Sequence, residues 1–314
     1  MHPAFSVLIF TVLSGAGCGM AIWLAGVLTL SPGDLSPRLV AWTAAAIVGL
    51  LAVAGISSTF HLGHPERAWR AFSQWRTSWL SREGIALLAA IGLAVLLGLV
   101  ALAAARATLV LQLLSLVLAL VCIVTTYATS MIYASLKAIP AWSSPLVVVA
   151  YQVFALASGG LLLNLLLHLG GERSAVRIVL LATVAVSLAV KLAYWIVMGR
   201  RGVVATRLSA LGIRGSGKAR SFDPAHTTAN YLTREMAFAV GDPTAQALRI
   251  LTVLLAFLVP LLLLWLEPLF DRIDTLVAAF LAAASALTGL LIERWLFFAE
   301  AQHAMRLYYD RDKV

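Results

Sequence analysis

Charge is scarce in this 314-residue chain, and what there is leans to one sign: 23 Lys and Arg stand against 14 Asp and Glu, together 12% of residues. A soluble protein is about a quarter charged, so a folded body with water on every side is excluded. Cysteine is scarcer still. Cys18 and Cys122 lie inside apolar blocks, far apart in sequence and in neither a metal-ligand nor a disulfide pattern, and are read as buried packing residues. There is no glycine-rich phosphate loop and no metal-ligand spacing. The net charge of +9 does not point to nucleic acid, because the basic residues sit between apolar blocks rather than among stacking aromatics.

What is present in excess is apolar: 61% of residues, gathered into stretches at 5–30, 39–60, 85–104, 109–136, 145–168, 178–198, 250–269 and 275–299. Each approaches the roughly 20 residues that cross a bilayer. The expected fold is therefore all-α, an integral membrane bundle of eight transmembrane helices forming a single domain over 1–314. The first stretch has no basic segment before it and is too long for a signal-peptide core, so it is read as a retained helix.

Eight spans put both termini on one side. That side collects sixteen of the 23 basic residues, the other side five, and Lys191 and Arg294 fall within spans. The excess places both termini in the cytoplasm, in the bacterial inner membrane. The two long connections, 61–84 and 199–248, belong to the same side. Structureless loops of that length are usually functional or disordered, so a soluble partner is expected to dock there.

Ionisable groups near or inside spans are costly and mark candidate sites. His61 and His64 follow the second span, Arg82 and Glu83 open the third, Tyr133 and Lys137 close the fourth, and Glu293 and Arg294 lie near the end of the eighth. Lys191 sits roughly 10 Å below the same interface, from where its stem can snorkel to water. As neighbours on a helix, Glu293 and Arg294 are expected to point apart. Trp69, Trp75, Trp79, Trp142 and Trp195 suit an interfacial aromatic belt. A histidine and a carboxylate at one membrane interface suit quinone chemistry, which needs a hydrogen-bond donor near neutral pKa and a route for protons.

The chain resembles the membrane-anchor subunits of dimethyl sulfoxide reductase-type molybdoenzymes over essentially its whole length. The resemblance rests on His2 through Ser6 with Ser14-Gly15-Ala16-Gly17, on Ser58 through Ala68 containing His61-Leu62-Gly63-His64-Pro65, on Leu80-Ser81-Arg82-Glu83, on Tyr133 through Trp142, and on Glu293-Arg294. It implies eight helices that carry no metal or haem. It implies docking to an iron–sulfur subunit with four clusters, which binds a molybdopterin catalytic subunit, and a quinone, ubiquinone or menaquinone, bound in the anchor. It ties His61 and Glu83 to the quinone site. His64, Arg82, Tyr133, Lys191, Glu293 and Arg294 stand behind them. The run Arg220 through Thr227, continuing through Asn230-Tyr231-Leu232 to Arg234-Glu235-Met236, is similar to the branch found in cytoplasmic sulfite-oxidising complexes. That favours sulfite oxidation with quinone as acceptor over a quinol-oxidising reductase.

Two rivals are weaker. A transporter calls for interrupted helices and a midplane site, whereas these polar groups crowd one interface. A haem anchor calls for two histidines on facing helices, and no such pair is evident among the six.

Overall fold

The computed structural model describes residues 3–31, 35–60, 62–104, 108–172, 176–201, 205–213, 219, 222 and 240–307. Eight helices in it are long and apolar enough to span a bilayer: α1 Phe5–Leu30, α2 Pro37–Thr59, α3 Trp79–Ala103, α4 Leu109–Ala134, α5 Pro145–Leu169, α6 Arg177–Arg200, α7 Asp242–Leu269 and α8 Arg272–Ala299. No strand occurs among the described residues. Side chains such as Leu99, Leu102, Leu116 and Leu120 point outward, as a lipid-facing surface requires.

Two helices start earlier than hydropathy alone indicates. The Ser78 hydroxyl accepts from Ser81 N at 3.4 Å and caps α3 at Trp79, which brings Arg82 and Glu83 inside the helix. Pro243, with its fixed φ, suits the first turn of α7, which begins at Asp242 and shortens the connection before it. Pro260 also shapes α7: it has no N–H to give, and the chain passes through a π-helical turn, Val253–Leu258, just before it.

The bundle is organised around α1, which packs against α2, α4, α5 and α8. Small residues make this possible. A Cβ on Gly19 would lie 1.7 Å from Ala155 O, and one on Gly159 would lie 2.1 Å from Met20 N, so α1 and α5 touch backbone to backbone. Gly289 of α8 meets the π-turn the same way, its Cβ position 2.2 Å from Ala256 N. One apolar core fills the space among α1 to α4, and a second joins α1 to α5, α6, α7 and α8. A third, aromatic cluster closes the end that bears the termini, built from Tyr133, Trp142, Tyr151, Tyr194, Phe297 and Phe298.

Cys18 and Cys122 are both buried and face each other between α1 and α4. Trp142 departs from the expected belt. It is buried, stacks on Phe297 with centroids 5.6 Å apart, and donates its indole N–H to Phe297 O at 3.0 Å.

Candidate functional site

Glu83 lies one turn into α3, only 3% exposed, with Thr129 of α4 beside it. Its Oε1 has no hydrogen-bond partner in the protein. A buried polar atom without a partner costs about 1–3 kcal/mol, which makes this carboxyl a candidate functional group.

A narrow cavity runs from Thr129 between α1, α4, α5 and α8. Hydroxyls of Thr11, Ser14, Thr126, Tyr151 and Ser158 line it, and the Arg294 guanidinium closes one side. Arg294 Cζ sits 4.1 Å above the Tyr151 ring, and Tyr151 stacks on Tyr133 at 5.9 Å between centroids. Tyr151 Oη and Arg294 Nη1 also lack a partner of good geometry. Both residues line a second small cavity as well, shared with Lys191, Tyr194 and Glu293. These spaces admit water-sized guests; a quinone head group needs more room.

Room of that kind lies on the outer surface at the termini-bearing end. Ser6, Ile9, Val53, Ile56, Ser57 and Phe60 line an open groove of about 410 Å³ between α1 and α2. It is mostly apolar and within the size range of small-molecule sites. Phe60 is its last residue along the chain, and His61 follows directly in sequence. His61 itself lies outside the described residues.

The other expected residues divide. Tyr133, Lys191, Glu293 and Arg294 join the buried network that starts at Glu83. Lys191 does not snorkel. It is 2% exposed and turns inward to donate to Glu293 Oε1, because a carboxylate at its own depth satisfies the ammonium without a climb to water. Glu293 and Arg294 do not point apart either: Arg294 Nε approaches Glu293 Oε2 at 2.7 Å. Both side chains are buried and bend to meet. Arg82 and His64 stay outside the network. Arg82 donates to Trp75 O and Arg76 O at 2.9 and 2.7 Å and lies over Trp79, holding the preceding turn to α3. His64 is exposed and sits 3.0 Å from Glu66.

Toward water, the Trp195 ring lies near the cations of two ion pairs. Lys191 Nζ is 4.7 Å and Arg249 Cζ 5.9 Å from its ring centroid. Arg249 pairs with Glu300 at 2.8 Å just past the end of α8. Burial pushes the Glu300 carboxyl above its ordinary pKa, with Arg249 pulling the other way.

Tyr151, Thr129 and Glu300 were not singled out by the sequence, and Trp195 was read only as part of the aromatic belt. One signal for Thr129 was available: Thr125-Thr126-Tyr127-Ala128-Thr129-Ser130 is a run of hydroxyls inside an apolar span. Among the described residues no group of three or more His, Cys, Asp or Glu is placed to hold a metal ion.

The chain matches the family described as DMSO reductase anchor subunit (DmsC) over residues 1–299. It is 33% identical to one subunit of the sulfite dehydrogenase of Allochromatium vinosum, across 99% of both chains. With eight membrane-spanning helices and a match over nearly its full length, the chain belongs to the DMSO reductase anchor subunit family and is a multi-pass protein of the bacterial inner membrane.

Proposed function

We propose that this anchor passes electrons between an iron–sulfur subunit of a molybdopterin oxidoreductase and the membrane quinone pool, in the direction of sulfite oxidation. The observation that carries the reading is the Glu83 carboxyl, buried at the termini-bearing end with Oε1 unpartnered. A bound quinone supplies a two-electron, two-proton acceptor for the electrons released when sulfite and water become sulfate. The residues of this chain supply what that acceptor lacks. The Phe60 groove offers apolar walls, His61 a hydrogen-bond donor, and Glu83 a proton held out of bulk water.

Sulfite is favoured by the relative that is 33% identical, which belongs to a sulfite dehydrogenase. The family's own description favours the second reading, a quinol-oxidising reductase anchor. The same residues serve it with protons leaving rather than arriving.

The partner docks on the termini-bearing face, which we assign to the cytoplasm from its excess of basic residues. The segment 61–84 contributes a 3₁₀ helix, Pro65–Gln74, with Arg67, Arg70 and Trp69 exposed. The connection 199–248 contributes residues that lie mostly outside those described.

Photolabelling the assembled complex with an azidoquinone tests the site. Label is expected within 53–61 and suppressed by excess unmodified quinone. Label confined to the opposite face of the bundle would overturn the assignment.

A further inference from the structure

We propose that the buried groups running from Glu300 through Lys191, Glu293, Arg294 and Tyr151 to Glu83 form a proton line between water at the termini-bearing face and the Glu83 carboxyl. The inference rests on the reading of Glu83 as the proton-bearing group of the quinone site.

Geometry makes the line continuous. Glu83 adjoins Thr129, and Thr129 lines the hydroxyl-walled cavity. Tyr151 and Arg294 form the wall between that cavity and the second, whose far side is Lys191 and Glu293. Beyond Lys191, the Trp195 ring is shared with Arg249 of the Arg249–Glu300 pair, and Lys191 and Glu300 are close enough to interact electrostatically. Glu293 on α8 and Glu300, the residue that caps its end, are seven residues apart, about two helical turns, and so lie on one side of the helix.

A bare structural staple between α6 and α8 would explain the Lys191–Glu293 contact alone. It leaves unexplained Tyr151 Oη and Arg294 Nη1, which lack a partner of good geometry and border both water-sized cavities, and Glu83 Oε1, which lacks one beside Thr129. Buried groups of this kind are ordinarily met by ordered water, which typically makes about three hydrogen bonds. Hydrated hydroxyls between carboxyl groups are what stepwise proton transfer needs. The chemistry also sorts the roles. Glu300, Glu293 and Lys191 exchange protons, Tyr151 passes one through its hydroxyl, and Arg294 keeps its charge and positions its neighbours. Each proton that leaves Glu83 Oε for the acceptor is replaced by one entering at Glu300, while the iron–sulfur partner provides the electrons.

The test uses the assembled complex in vesicles with Lys191→Met, Tyr151→Phe and Glu300→Gln. The last two preserve shape, so the test does not depend on Lys191→Met folding. Exchange of the Glu83 carboxyl proton after transfer to heavy water is followed by its infrared carbonyl stretch, assigned through Glu83→Gln. Exchange should slow by about tenfold or more in each variant, and quinone-linked turnover should fall with it while dye-linked turnover holds. Native exchange rates in all three variants would overturn the line. Slowed exchange in a complex whose quinone turnover ignores Glu83→Gln would uphold the line and overturn the quinone assignment instead.

Discussion

Arg294 Nε lies 2.7 Å from Glu293 Oε2, although the two are sequence neighbours on α8. The angle falls short of a good hydrogen bond, and Lys191 takes the other carboxylate oxygen. One buried carboxylate therefore serves two buried cations. Removing Lys191 as Lys191→Met leaves a neutral pair, whereas Glu293→Gln leaves two cations without a counter-charge. Glu293→Gln should cost about 3–5 kcal/mol and Lys191→Met much less. Thermal unfolding in detergent checks the order, and equal losses would show that the triad does not act as one charge group.

The contact of α1 with α5 is a backbone contact, so it tolerates no side chain. Gly19→Leu forces apart Gly19 and Ala155, whose carbonyl oxygen lies 1.7 Å from the Cβ position. Overpacking usually costs about 1–3 kcal/mol, and a clash with main chain belongs at or above the top of that range. Gly26→Ala, at a position with open space around it, should be silent. Protease resistance of the purified chain distinguishes the two.

Glu300 gives a pH dependence. Its folded pKa is raised, chiefly by burial, so its contribution to stability is fully present below the unfolded carboxylate pKa and is lost as pH rises through the folded value. Glu300→Gln removes that loss. The variant should gain stability relative to the native chain between acid and neutral pH, read as a melting-temperature difference that grows with pH.

Eight spans were legible because long apolar runs have one reading in a bilayer. Glu83 stood out through its motif, though not its burial one turn into α3. The partnership of Lys191 with Glu293 was not legible: the residues are 102 apart, and a lone lysine in a span reads equally well as a snorkelling anchor. Trp142 misled in the same way, because an indole just past the helix-breaking Pro140-Ala141 looks interfacial until Phe297 is seen against it. The α1–α5 seam was written as Gly15-xxx-Gly19 and Ala155-xxx-Gly159, yet small residues alone do not say which helices meet.

Docking on the termini-bearing face predicts that deleting residues 205–240 leaves the helices inserted but releases the soluble subunits from membranes. A reporter fused after Val314 should be active only where cytoplasmic activity is read. Soluble subunits retained at native levels would show that this connection holds no partner.

Glu83→Gln in the fully assembled complex tests the central claim most directly, with electron transfer to quinone and to a soluble dye measured on one preparation. Quinone-linked turnover should drop by about a hundredfold, the scale of a lost proton donor, and dye-linked turnover should stay native. Native turnover with both acceptors would contradict the account.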